Sequence, residues 1–387
     1  MKPANAVLSG LGTTVFEVMS QLARQHDSIN LGQGFPDDRG PEDVLQAAAD
    51  ALMTGWNQYP PMPGLPELRQ AVAAHDRRFY GIEADWQAET LVTSGATEAL
   101  AACLLGLVEP GDEVVLVQPM YDAYAPLVRR AGAVPRLVTL APPDWRLTRE
   151  QLAAAFSPKT KAILLNNPLN PAARVFSAEE LDLVAEFVEG SDAVAICDEV
   201  YEHLVFDGRS HIPLITRPGM RGRCLKIGSA GKTFSLTGWK VGYVLGAPEL
   251  IQPVAKAHQF LVFTTPPNLQ AAVAYGLAKE DAFFIGLSAH MQAKRDRLAE
   301  GLRGLGLSVL DAQGTYFVNV DLAASGWNGS DVAFCRTITE EAKVTAIPLS
   351  AFYAEDCPAP VARFCFSKQD TILDEAVARL GAFFGRG

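Results

Sequence analysis

Apolar and polar positions alternate along this chain in two styles, and the style changes near residue 275. Before that point, short apolar runs recur at 90–93, 113–117, 135–139, 162–166, 193–197, 224–228 and 241–245. Runs of this length, bounded by turn residues, read as strands of a sheet covered on both faces. The stretches between them at 94–108, 123–131, 148–156 and 178–190 read as helices. Three more helices are expected upstream, over 14–24, 41–55 and 65–80. In the first, Val15, Phe16, Met19, Leu22 and Ala23 recur at helical spacing. An extended piece, 29–36, ends in a glycine-rich turn. A loop at 56–64 holds Pro60, Pro61, Pro63 and Gly64, which disfavour helix and strand interiors. Beyond 275 the pattern predicts one or two long helices over 270–305, and strands at 308–310, 316–320 and 362–365 flanking a helix over 329–342.

Strands alternating with helices predict an α/β fold: a large domain with a mostly parallel sheet sandwiched by helices. The remainder predicts a smaller α+β domain. The expected division is an N-terminal segment, 1–44, packed with the small domain, a large domain at 45–275, and a small C-terminal domain at 276–387. Ligands of such parallel sheets collect at the carboxyl ends of the strands.

The 387 residues are 49% hydrophobic and 20% charged, with a net charge of −11. That balance argues against nucleic acid and anionic membrane as partners, because both reward basic surfaces. Six cysteines stand far apart, at 103, 197, 224, 335, 357 and 365, with no CxxC pair. Buried thiols in a reducing compartment are expected, rather than disulfides or a metal site. No basic segment followed by an apolar core opens the chain, and no apolar run reaches membrane-spanning length. A cytoplasmic location is expected.

Four strand ends carry polar residues that an apolar core would not select. Ser94-Gly95-Ala96-Thr97 turns from a strand into a helix, and small residues there leave backbone N–H groups free for a phosphate. An ordinary helix cap explains the same residues. Asn166-Asn-Pro-Leu-Asn170-Pro171 follows the next candidate end, where a proline turn with Asx caps is the plainer account. Asp198 follows a run of Ala, Val and Ile, where a carboxylate is costly unless paired, and Tyr201 lies one helical turn on. The fourth end is Ser229-Ala-Gly-Lys232, with Lys240 eight residues later. A lysine among small and hydroxyl residues can be a nucleophile of depressed pKa, although an isolated SxxK also describes a basic surface loop. Together the four ends offer a phosphate cradle, a buried acid, a phenol and a nucleophilic lysine. A pyridine cofactor carrying a phosphate and an aldehyde would use each of them.

The chain resembles class I aminotransferases, pyridoxal-phosphate enzymes of fold type I. The resemblance runs from Ile29-Asn-Leu-Gly-Gln-Gly-Phe-Pro36 to Arg363-Phe-Cys-Phe-Ser-Lys368. Within the family it is most similar to the methionine and kynurenine (glutamine) aminotransferase branch. The stretches that suggest this are Asn30–Asp37, Pro119-Met-Tyr-Asp-Ala-Tyr124, Thr237-Gly-Trp-Lys240-Val-Gly242 and Ala346-Ile-Pro-Leu-Ser350.

The resemblance implies a role for each matching residue. Lys232 would bond the cofactor covalently, and Asp198 would face the pyridine nitrogen. Tyr201 and Asn170 would hydrogen-bond the ring hydroxyl, and Tyr121 would stack on the ring. Gly95, Ala96, Thr97, Ser229 and Lys240 would hold the phosphate. Tyr59 would reach the phosphate in a neighbouring subunit, implying a homodimer with shared sites. Arg363 would grip the substrate α-carboxylate as a fork, helped by Gly34 N–H and Asn170. Tyr316 would be mainly structural. The implied reaction moves an amino group between an L-amino acid and a 2-oxo acid by a ping-pong route.

The segment 258–265 carries no arginine for a distal acid, and Phe263, Tyr121 and Leu11 are expected to shape an apolar pocket. Methionine, aromatic amino acids, kynurenine or glutamine are therefore expected over aspartate. Cysteine-S-conjugate β-elimination and N-succinyldiaminopimelate transamination are the alternatives within the family, and a non-catalytic pyridoxal-phosphate sensor is the alternative outside it. One departure stands out: many relatives follow Asn-Pro with Thr-Gly, whereas Ala172-Ala173 follows here. The turn after Asn170 loses its glycine.

Overall fold

The computed structural model describes residues 4–385. Its centre is a seven-stranded sheet: β1 (Thr90–Thr93), β2 (Glu113–Gln118), β3 (Val134–Thr139), β4 (Thr160–Asn166), β5 (Val194–Asp198), β6 (Cys224–Ser229) and β7 (Gly242–Gly246). The spatial order is β1-β7-β6-β5-β4-β2-β3. All seven expected runs are strands, each within two residues of its expected ends. Four pairings are parallel and the two made by β7 are antiparallel. The hydrophobic run 241–245 fits either direction, so periodicity could not reveal this reversal.

β5 and β6 are central and read as nearly continuous apolar runs, as strands covered on both faces do. The helix Gly95–Leu107 packs on the sheet and on the helix Pro248–Leu261. That second helix is absent from the pattern-based reading, because Pro253 interrupts its interior. The helix Ala178–Gly190 begins with a capping box: Ser177 and Glu180 bond each other's backbone N–H.

The expected long helical region divides into Pro267–Leu277 and Asp281–Gly304. A second, four-stranded sheet follows, built from β8 (Ser308–Val309), β9 (Phe317–Asp321), β10 (Ile347–Pro348) and β11 (Val361–Cys365), in the order β10-β11-β9-β8. A helix not expected from the sequence, Asp370–Phe384, ends the described chain. The extended pair Ile29–Asn30 runs parallel to Val344–Thr345, joining the N-terminal stretch to the C-terminal unit. Among the described residues, no helix is long and apolar enough to cross a membrane.

Candidate active site

A cavity of about 260 Å³ opens at the carboxyl ends of β4, β5 and β6, where the start of the helix Gly95–Leu107 also arrives. The small sheet closes it from above with Phe317 and Arg363, and the N-terminal stretch adds Phe16, Gln33, Gly34 and Phe35. The expected residues Gly95, Ala96, Thr97, Tyr121, Asn170, Asp198, Tyr201, Ser229, Lys232, Lys240, Gly34 and Arg363 all line it.

One end is built for an anion. Gly95 has φ +77°, a backbone conformation that L side chains rarely adopt, and it opens the helix. A Cβ there would already touch Lys240, 3.4 Å from its Nζ, which shows how closely that ammonium approaches the helix start. Lys240 itself is held in the left-handed region, at φ 55°. Ser229 caps the next short turn by accepting from Gly231 N–H at 3.2 Å. Free N–H groups, a hydroxyl and an ammonium converge here, the donor set a phosphate ester needs.

The floor holds Asp198 and Lys232. Asp198 ends β5, buried, with its carboxyl held above the usual range by burial. Tyr124 Oη donates to Asp198 Oδ2 at 2.6 Å. Tyr124 closes the stretch Pro119–Tyr124, where sequence alone assigns it no role. Its signal was the three-residue spacing from Tyr121, which places both rings at one helix start, 5.8 Å apart. Lys232 Nζ has Gly34 O as its hydrogen-bond partner, at a long 3.4 Å. Burial lowers its pKa to about 8, against the pull of Asp198. Gly34 therefore meets the lysine through its carbonyl. Tyr201 lines the cavity, buried, 5.3 Å edge-on to Tyr316. Tyr316 Oη donates to the Lys232 backbone carbonyl at 3.0 Å, which fixes the lysine turn and agrees with a structural role.

The roof holds Arg363. Its Nη1 donates to Asn170 Oδ1 at 2.8 Å and Nη2 to Gly32 O at 2.9 Å. The guanidinium lies over the Phe317 ring at 3.8 Å, and burial lowers its pKa to about 10. It remains a cation at neutral pH. The turn carrying Asn170 survives the missing glycine: Ala173 itself takes φ 60°. Its carbonyl accepts from Gln313 N–H at 2.7 Å and Gly314 N–H at 3.1 Å.

Two expected site residues and the companion Leu11 do not reach this cavity within one chain. Tyr59 is 82% exposed and packs edge-on against Phe263 at 5.5 Å. Leu11 is also exposed. Tyr121, the third residue expected in the apolar pocket, does line the cavity, together with Phe16 and Phe35. The spacing of Phe263 could not fix its direction, because it follows the end of the helix Pro248–Leu261 at φ 69°.

Comparison with known proteins agrees with this geometry. The family model for aminotransferase class I and II matches residues 26–380. The chain is 46% identical to a probable N-succinyldiaminopimelate aminotransferase of Mycobacterium tuberculosis, over 97% of both chains. It is 39% identical to the methionine aminotransferase of Escherichia coli, over 96% of both. The solved structure of the Mycobacterium tuberculosis enzyme superposes with a TM-score of 0.94, covering 98% of this chain and 100% of that one. The aspartate aminotransferase of Rhizobium meliloti, at 28% identity, gives 0.91 over 100% and 99%.

Proposed function

Because the chain belongs to the class I and II aminotransferases, we propose that it is a pyridoxal-phosphate transaminase acting on amino acids with apolar or uncharged side chains. The family is pyridoxal-phosphate dependent. The observation that carries the reading is one cavity holding an under-partnered lysine, a buried carboxylate and a forked arginine.

The fit to the cofactor rests on chemistry already described. The helix start at Gly95, with Ala96, Thr97, Ser229 and Lys240, would hold the phosphate. Asp198 would keep a proton on the ring nitrogen, Tyr201 and Asn170 would take the ring hydroxyl, and Tyr121 would cover the ring face. When bound, pyridoxal phosphate supplies an aldehyde that condenses with amines and a ring that accepts electrons. The chain does the rest. Arg363 orients the substrate by its α-carboxylate. Lys232, neutral in appreciable fraction near pH 8, takes a proton at the substrate α-carbon through Nζ and returns one on the same face. The bond from Tyr124 fixes the Asp198 carboxylate where it would face the protonated ring nitrogen. Phe16, Phe35 and Tyr121 exclude water from the side-chain end.

Exposed Tyr59 and Phe263 fit a homodimer in which each reaches the other subunit's site. The division at residues 44 and 275 is part of the same proposal, supported by the Ile29–Val344 pairing. So is a cytoplasmic location without nucleic-acid or membrane partners, which the acidic balance supports.

The cationic residues lining the cavity are Lys232, Lys240 and Arg363, each already assigned. Among the described residues lining the cavity none remains for a distal carboxylate, which favours methionine, aromatic amino acids, kynurenine or glutamine. The 46% identity to a probable N-succinyldiaminopimelate aminotransferase favours a second reading, in which that acid is the amino donor or, in the reverse direction, the product. A half-reaction screen decides between them, following the absorbance of the bound cofactor with each amino acid in turn. Methionine and phenylalanine are expected to react at least tenfold faster than aspartate. Aspartate reacting fastest overturns the side-chain assignment. N-succinyl-LL-2,6-diaminopimelate reacting fastest establishes the second reading. Pyruvate and ammonia released from a cysteine S-conjugate without added oxo acid would reveal β-elimination.

A further inference from the structure

We infer that Asn319 is a positioning residue for the substrate-carboxylate site, acting through the turn that carries Asn170. The inference rests on the reading of Arg363 as the carboxylate fork. β9 pairs antiparallel with β11, and Asn319 stands directly opposite Arg363. Side chains opposite each other in such a ladder share a face. Phe317, two residues before Asn319, is on that face as well, under the guanidinium.

The two opposed side chains grip consecutive residues of one turn. Arg363 Nη1 donates to the side-chain oxygen of Asn170 at 2.8 Å. Asn319 Nδ2 donates to the backbone carbonyl of Pro171 at 2.9 Å. The turn belongs to the loop after β4, so both bonds cross from the small sheet to the large one. Asn170 is fixed from the other side by its own N–H, which donates to Asn166 Oδ1 at 2.7 Å.

Asn319 is buried between Val318 and Val320, where an apolar residue would pack without a polar cost. Its amide oxygen is buried with no partner among the described residues. The bond to Pro171 is therefore the amide's main compensation. Without it the turn can drift from β9, and Asn170 can leave the 2.8 Å position that orients the guanidinium. Among the described residues Arg363 Nε has no partner either, so the fork depends on Asn170 and Gly32 for its direction.

The test uses the cofactor-loaded protein and two non-reacting probes with the same apolar tail. Calorimetry measures binding of 3-phenylpropionate, which has the carboxylate, and of benzyl methyl ether, which has neither carboxylate nor amine. In Asn319→Leu the Kd for 3-phenylpropionate is expected to rise about 5- to 10-fold, the worth of one hydrogen bond. The ether should change less than twofold. The half-reaction KM for methionine should rise alongside, with kcat within twofold. Asn319→Asp, isosteric and likewise without a donor, is expected to weaken 3-phenylpropionate at least as much, and serves if the leucine variant does not fold. Unchanged affinity for the carboxylate, or an equal loss for both probes, overturns the inference. Arg363→Leu separates the two levels: if it binds 3-phenylpropionate as tightly as wild type, the reading of Arg363 itself fails.

Discussion

Two lysines six residues apart, one inside β6 and one on the short helix Ala230–Thr233 after it, show how partners decide what an amine does. Lys226 points to one side of the sheet and Lys232 lies past the strand end in the cavity. Lys226 is buried against two carboxylates, whereas Lys232 is half-buried with no carboxylate in pairing distance among the described residues. Lys226 Nζ lies 2.8 Å from Asp76 and 2.7 Å from Glu202. Burial alone would depress its pKa, but Asp76 and Glu202 outweigh burial and hold it well above the ordinary value. Around it, Tyr243 donates to Glu202, while His211 pairs with Glu199 at 2.9 Å. His75 and His203 meet Nε2 to Nε2 at 2.8 Å, both kept uncharged by burial, with pKa values of about 3 and about 4. Lys232 has one long bond to a carbonyl and a carboxylate too distant to pair, and burial prevails. The saturated lysine is a strut, and the under-partnered one is free to react.

Breaking each lysine should therefore fail in a different way. Lys232→Ala should lower the amino-acid half-reaction by about 10⁴-fold or more, with the denaturant midpoint nearly unchanged. Borohydride treatment followed by mass spectrometry should find the cofactor covalently attached in wild type and absent in the variant. A near-wild-type rate would end the assignment. Lys226→Met should do the converse. It leaves two buried carboxylates without their cation, at a cost of about 3–5 kcal/mol in equilibrium unfolding. Molecules that remain folded should keep the half-reaction rate within a few fold. A catalytic loss in Lys226→Met as large as in Lys232→Ala would erase the distinction.

The sequence made one of these lysines legible and not the other. Lys232 sits among Ser229, Gly231 and Thr233, a polar break after an apolar run, and so it draws attention. Lys226 stands inside the strand Cys224–Ser229, and nothing local says that Asp76, from a helix 150 residues earlier, will meet it. The same division holds elsewhere. The seven strands and the polar residues at their ends could be read because period and burial are local signals. The reversed direction of β7, the Tyr124–Asp198 bond and the Asn319–Pro171 bond could not, because each is decided by a partner distant in sequence. Ala173 is the instructive middle case. Losing glycine at a left-handed position costs about 1–2 kcal/mol, but the N–H groups of Gln313 and Gly314 hold its carbonyl and keep the turn. The sequence showed the strain and hid its compensation.

The smallest effect gives the sharpest form of the comparison. A neutral amine attacks an aldehyde and an ammonium does not, so the association rate of pyridoxal phosphate with the cofactor-free protein should rise with pH through the Lys232 pKa. The midpoint is expected near pH 8, because burial has lowered that value. Below it the rate should fall about tenfold per unit as the amine is protonated. Lys226, fixed as a cation by two carboxylates, should contribute no step across the same range. Asp198 is the carboxylate that holds the Lys232 pKa up against burial. Asp198→Asn should therefore move the midpoint downward, to below 8, whereas Asp76→Asn, which touches only the other lysine, should leave it in place. A midpoint near 10, the ordinary lysine range, or one that follows Asp76 instead of Asp198, would mean that the two amines are not distinguished by their partners in the way the geometry requires.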